Sequence, residues 1–465
     1  MFINLAQKIM NGFIRKKIIK MNKISSLFLG LFLAIVTVST AQETEKWSLR
    51  ECIDYALENN IQIKRQALNT AYNENQLNQA LSDRLPNLNA GVSNNYSFGR
   101  SLNNDNVYED VNSTQLNGYL STNVTLFNGF ILQNTIDQSN LELQASLMDL
   151  EKAKDDIILN ISAFYLEILF AEELIEVAKA QIDITQQQID RTEQLVNAGS
   201  LARGALLEIE AQMAREELQL VNDQNRLQLA YVDLYQLLEL PIEKSFEIEK
   251  PKLPEINADV TMANSFNVFT NAIKMRPEIK AAQLRVESAQ KQLEIAKGQR
   301  LPSLSFGANY NNQYFNVISS DLPQLSFSEQ LKSNSRFGVG FNLNIPIFNR
   351  FQIKNGIDNA QLQIEDFRYQ LQSTRNVLKK DIEQAYTNAL AALNRYIAAE
   401  KAVTSSAEAF RYTEEKYNVG MINSVEYNQS KNNLTKAQSE LLQARYEYIF
   451  RTKILDFYNG VPIQL

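Results

Sequence analysis

The chain is written twice. Arg84-Leu85-Pro86 recurs as Arg300-Leu301-Pro302, and Leu88 and Gly91 recur as Leu304 and Gly307, an offset of 216 residues (300 minus 84). Phe127-Asn128 recurs as Phe348-Asn349, and Asn197-Ala198-Gly199 as Asn418-Val419-Gly420, now offset by 221 (348 minus 127). A repeat this long is not an array of small units such as a solenoid. It means two structurally equivalent halves. The five-residue difference falls between the Pro and Phe-Asn landmarks, in a segment patterned as β.

Only 15 Gly and 9 Pro punctuate 465 residues, so turns are few and elements long. Lys23, the apolar run Ile24 to Val38 and the small residues Ser39-Thr40-Ala41 read as a secretory signal, with Met21 as an alternative start. The run is short for a membrane-spanning helix, which needs about 20 residues. Removing residues 1–41 takes away six basic side chains and no acidic one, so a net charge of -7 becomes -13. Such an acidic chain is a poor nucleic-acid binder. Histidine is absent and Cys52 is the single cysteine, which excludes an intrachain disulfide and a Cys/His zinc site. Cys52 reads as a small residue on a helix face.

The pattern predicts a first repeat over 42–240, a connector over 241–270 with little regular structure beyond a short helix near its end, and a second repeat over 271–465. Leu49 to Leu85 has helical spacing with no Gly or Pro, and Pro86 ends it. Leu88, Ala90, Val92 and Tyr96 then alternate with polar or small residues, as do Leu116, Leu120, Val124 and Leu126, giving a β-hairpin over 87–127 with a polar loop over 100–115. A helix follows from Phe130 to about Val196, with Ile157, Ile161, Phe164 and Ile168 at seam spacing. Gly199 turns it, and a return helix reaches Leu240. The second copy repeats the order. A helix spans about Arg276 to Leu301, and a β-hairpin spans 303–348 with a polar loop over 316–334. A long helix to Asn418 is interrupted at Gly356; Gly420 turns it, and the return carries a seam of Leu434, Ala437, Leu441, Ala444 and Tyr448.

Strands of about ten residues, apolar on one side and polar on the other, suit a tilted bilayer crossing. Open edges are not tolerated in lipid, and closure needs about eight strands or more. Four strands therefore require several chains, and a dimer, trimer or tetramer each satisfies that arithmetic. The helices, with charged and Gln/Asn-rich faces, stand in water. No nucleophile–base pair or phosphate-cradling loop is present, so the residues predict neither an enzyme nor a cofactor.

The order helix, strand, loop, strand, long helix, Gly turn, helix, stated twice, resembles the TolC-like outer membrane efflux protein family over about residues 47–460. Val196 to Leu201 and Tyr417 to Ile422 are similar to its helical tip motif. Arg84-Leu85-Pro86 and Arg300-Leu301-Pro302 resemble its helix-to-strand junctions, and Phe127-Asn128-Gly129 its strand-to-helix exit. The resemblance implies an α+β membrane protein. A long antiparallel coiled-coil tunnel would join four strands per chain in a homotrimeric 12-stranded barrel, set in outer-membrane lipid and reaching into the periplasm. It implies an exit duct for efflux or type I secretion that works with a periplasmic adaptor and an inner-membrane pump. The adaptor would dock at tip turns Asn197, Ala198, Gly199, Ser200 and Asn418, Val419, Gly420, Met421. Tunnel-entrance acids would come from Asp190, Glu193, Glu408, Glu414 and Glu415, with Glu426 nearby. The alternative is a structural or adhesive coiled-coil stalk, which predicts no polar alternation in the strands.

Overall fold

The computed structural model describes residues 46–102, 106–241, 246–253, 256, 262, 264–318 and 324–464. The expected signal over 1–41 lies outside them. In chain order the elements are β1 (Lys46–Trp47), α1 (Leu49–Asn59), α2 (Ile61–Ser82), β2 (Asn89–Ser97), β3 (Arg100–Leu102), β4 (Tyr108–Asp110), β5 (Ser113–Phe127), α3 (Ile131–Asn197) and α4 (Arg203–Leu238). They continue with β6 (Glu247–Ile248), α5 (Ser265–Met275), α6 (Pro277–Gly298), β7 (Ser303–Val317), α7 (Phe327–Ser333), β8 (Arg336–Asn344), α8 (Gln352–Asn418) and α9 (Ser424–Tyr458). One small unit pairs β1 with β6 in parallel, with Trp47 5.0 Å from Phe246 between ring centroids. The other unit holds everything else described.

The expected helix from Leu49 to Leu85 is broken at Asn60. Asn60 adopts an extended conformation, ends α1 and caps α2: its side-chain oxygen accepts from the N–H groups of Gln62 and Ile63. Its amide donates to the Leu237 carbonyl at 2.9 Å, gripping the end of α4. The same break recurs 216 residues on at Arg276, where Pro277 keeps the preceding residue out of the α region. The helix before that break, α5, begins at Ser265, near the end of the connector, where a short helix was expected. The Arg276 guanidinium ion-pairs with Asp155 at 3.1 Å and Glu278 at 3.2 Å and lies 4.7 Å over the Phe457 ring, gripping the end of α9. Each half thus fastens its return helix through the side chain at its helix break.

Burial pushes the Asp155 carboxyl up to about 6, against the pull of Arg276 and with the help of Glu278, Glu151 and Asp156. A carboxyl raised in the folded state binds its proton more tightly there than in the unfolded chain. Stability therefore rises as pH falls through about 6 toward the ordinary aspartate range. Asp155→Asn is expected to flatten thermal stability against pH across that window; an unchanged profile rules Asp155 out as its source.

Helices α3 and α8 have 67 residues each, about 100 Å at 1.5 Å per residue. Gly356 does not interrupt α8, because one exposed glycine costs a helix only about 1 kcal/mol. In α3, Ile157, Ile161 and Ile168 are buried and Phe164 half-buried; in α9, Ala437, Ala444 and Tyr448 are buried. Cys52 is fully buried, and burial pushes its thiol up to about 12. None of the described helices is long and apolar enough to cross a membrane.

The four main strands form one antiparallel sheet in the order β2-β5-β7-β8. Partners directly opposite share a face, so the register defines both faces. One carries rows such as Ala90–Leu120–Tyr310–Phe337 and Val124–Phe306–Phe341. The other carries Asn, Ser, Gln, Thr and Gly. The apolar face is bare: Val92 is 77% exposed, Phe337 74% and Phe341 71%. The last strand ends at Asn344, short of the expected hairpin limit at 348, because Pro346 lacks the N–H that the ladder needs.

The two loops expected to be only polar both contain structure. The first forms the β3–β4 ribbon. In the second, α7 protects the edge of β7 where that strand outruns β8. Gln330 exchanges hydrogen bonds with the backbone of Phe315, Gln324 does so with Val317, and the Asn334 amide donates to the Gln313 carbonyl. Side-chain amides replace the missing strand, which is how an exposed edge is blunted.

Candidate functional site: the tip turns and the polar knot above them

Both tip turns end their helices in the same way. Gly199 sits at φ +74°, its N–H donates to Val196 at 2.9 Å, and the Ser200 N–H donates to Leu195 at 2.9 Å. Gly420 sits at φ +75°, with its own N–H on Tyr417 at 3.0 Å and that of Met421 on Lys416 at 2.9 Å. This pair of bonds is the Schellman stop, which needs a left-handed residue after the cap. A Cβ on either glycine would meet no atom within 4 Å. The backbone conformation therefore selects glycine here, and crowding does not.

Arg191 joins the two turns. Its guanidinium donates to the side-chain oxygen of Asn418 and, at 3.3 Å, to the Asn418 carbonyl. Ser424, at the start of α9, donates to Glu208 of α4 at 2.5 Å. Asn197, Ala198, Gly199 and Ser200 thus share one end of the helices with Asn418, Val419, Gly420 and Met421. That end is apolar as well as wet: Val419 is 71% and Met421 73% exposed, and Val425 is exposed beside them.

The five candidate acids, Asp190, Glu193, Glu408, Glu414 and Glu415, are all exposed. Two of them are not free carboxylates. Arg411 bridges Glu408 at 2.6 Å and Glu415 at 2.9 Å. The Arg411 hydrogen bond holds the Glu408 carboxyl below its ordinary range. Asp190 accepts from Gln186 at 2.8 Å. Glu426 sits in the first turn of α9, where Asn423 caps its N–H.

The structure adds a polar knot that the seam reading missed. Lys431 is 1% exposed, and its ammonium donates to the Gln181 carbonyl at 3.0 Å, to the Thr185 hydroxyl and to Glu216 at 3.0 Å. The Gln212 amide donates to Glu216 and to Asn432, each at 2.9 Å. Burial lowers the Lys431 ammonium from its ordinary value, opposed by Glu216. Toward the tip, Tyr427 is buried with its ring 4.7 Å from that of Tyr417 and 5.3 Å from Phe410; burial pushes its hydroxyl upward. The knot fastens α9 of the second half to α3 and α4 of the first. A signal was present: Lys431 stands three residues before Leu434 and Tyr427 seven, so both continue the α9 seam register toward the tip.

The family model for the outer membrane efflux protein matches residues 52–239 and again 268–456, once per repeat. The chain is 24% identical over 451 residues to the outer membrane protein TolC of Salmonella enteritidis, covering 92% of this chain and 84% of that one. It is 23% identical over 357 residues to the toxin and drug export protein A of Aggregatibacter actinomycetemcomitans, covering 75% and 74%. Among solved structures it matches the outer membrane protein VceC of Vibrio cholerae with a TM-score of 0.74 at 19% identity, covering 90% of this chain and 97% of that one. The fold is accordingly that of an outer membrane channel chain, with long helical hairpins for the tunnel and four strands for the barrel. Matched in both repeats over most of its length, this chain belongs to the outer membrane efflux protein family.

Proposed function

We propose that three copies form the exit duct of a tripartite efflux or type I secretion system. The duct conducts passively, without chemistry or cofactor. A periplasmic adaptor docks its helical hairpin on the turns at 197–200 and 418–421, and an inner-membrane pump delivers the cargo. The observation that carries this reading is the sheet. It has one bare apolar face, one hydrophilic face, and both edge strands, β2 and β8, free to pair with further copies. A hydrophilic face enclosed by lipid-facing strands is a conduit. A stalk has no use for it. The exposed Val419, Met421 and Val425 support docking at the tip, since apolar patches on a wet surface mark contacts.

Gly199→Leu with Gly420→Leu tests the tip. Each leucine has open space, so the cost in the fold is the left-handed backbone, about 1–2 kcal/mol per residue. The expected outcome is normal trimer in the outer membrane with export abolished. Gly199→Asn with Gly420→Asn, which tolerates that backbone, retains part of the export. Normal export by the leucine variant sinks the docking assignment.

A further inference from the structure

The hydrophilic face of the sheet is almost without charge. Apart from Tyr119, Phe315, Val317 and Arg336, every strand residue on it is Asn, Gln, Ser, Thr or Gly. It carries no carboxylate, and Arg336 is its single ionic side chain. The register places Arg336 in the row Gly91–Tyr119–Asn311–Arg336, where β8 begins below α7. Gly91 is required there by Tyr119: a Cβ on Gly91 would come within 2.4 Å of the tyrosine ring. The aromatic side chain therefore lies across Gly91 on the same face as the guanidinium.

Arg336 has no ion-pair partner among the described residues, whereas Arg100 in the neighbouring loop pairs with Asp110 at 3.8 Å. Barrel closure does not supply one from the strands. The free edge of β8 meets a β2 edge whose matching face carries Asn89, Gly91, Ser93 and Asn95. A guanidinium with no ion-pair partner among the described residues, set in a wall of neutral amides, is a local anion attractor, and its planar donors suit carboxylate and phosphate.

We propose that Arg336, with Asn311 beside it in the row, forms an anion-binding girdle in the bore, repeated in each of the three chains. Cargo bearing carboxylate or phosphate groups is held there briefly on its way out. This rests on the bore assignment above and adds a substrate class to it.

Inorganic tripolyphosphate is the probe, titrated calorimetrically into the detergent-solubilised trimer at low salt, where screening is weakest. Saturable binding is expected for the wild type. Arg336→Gln is expected to weaken it at least about tenfold, the scale of one charge-assisted contact, and Arg336→Lys less. Lys332→Gln, on exposed α7, keeps wild-type affinity. Absence of wild-type binding, equal binding by Arg336→Gln, or an equal loss in Lys332→Gln overturns the girdle. Bilayer conductance separates the two readings. A trimer that binds tripolyphosphate but never conducts sinks the duct and leaves the girdle standing. One that conducts with no Arg336-dependent binding does the reverse.

Discussion

Lys431→Met destabilises the helical hairpins by about 3–5 kcal/mol, the cost of leaving a buried charge without its partner. The Glu216 side chain is only 11% exposed, and its cation is Lys431 at 3.0 Å. With the ammonium gone, Glu216 keeps the Thr185 hydroxyl and the Gln212 amide, which solvate a carboxylate but do not neutralise it. The Gln181 carbonyl loses its Lys431 donor as well. Replacing both members by apolar residues is a different experiment. A buried pair gains little over well-packed hydrophobic side chains, so Lys431→Met with Glu216→Leu recovers most of the loss. Thermal unfolding followed by helix circular dichroism, run as a double-mutant cycle, reads the coupling directly. Additive single losses would mean that the pair is not coupled, and the knot would then be no more than a set of neighbours. The knot's position gives the pair a purpose that stability alone does not. A polar layer in an otherwise apolar seam fixes register, and here it fixes α9 against α3 and α4, across the two halves of the duplication.

What the sequence disclosed was set by how local each signal is. Helix lengths were legible because breakers are scarce. The secondary structure repeats almost without slippage: α1 to α5 and α2 to α6 by 216, α3 to α8 by 221. Both strand faces were legible because a period of two needs no knowledge of partners. The break at Asn60 was hidden, whereas the helix start at Arg276 was read. Asn60 interrupts no apolar pattern, and its role is a hydrogen bond to Leu237, 177 residues away. Arg276 stands before a proline, a visible stop, yet its partners Asp155 and Phe457 are distant in the chain. At the tip, Gly199 and Gly420 were readable as turns. The pairing of Glu408 and Glu415 through Arg411 is local, at three and four residues, and was overlooked because the acids were read as a cluster without their cation. Arg191 reaching Asn418 spans 227 residues and was beyond any local reading.

Gly129→Ala and Gly298→Ala each weaken the junction between tunnel and sheet, although alanine ordinarily strengthens a helix. The two glycines lie back to back where the first strand-to-helix exit meets the end of α6. A Cβ on Gly129 would stand 2.3 Å from the Gly298 carbonyl oxygen, and one on Gly298 would stand 2.5 Å from the Gly129 oxygen. Backbone oxygens cannot rotate away as a side chain does, so the elements must separate. Overpacking of this kind costs about 1–3 kcal/mol, and Gly129, at φ +68°, adds about 1–2 kcal/mol for its left-handed backbone. Gly356 supplies the control. It is exposed within α8 with nothing near its missing Cβ, so Gly356→Ala stabilises by about 0.5–1 kcal/mol. Opposite signs at Gly298 and Gly356, both helical, separate contact from propensity in thermal melts; equal signs remove the contact argument. The repeat extends the reasoning. By the two offsets, Gly298 corresponds to Ser82 and Gly129 to Arg350, and Arg350 keeps the left-handed conformation at φ 53°. Ser82 belongs to α2, beside the edge strand β2, and Arg350 leads from the edge strand β8 into α8. In the barrel proposed above, the corresponding junction would fall between copies.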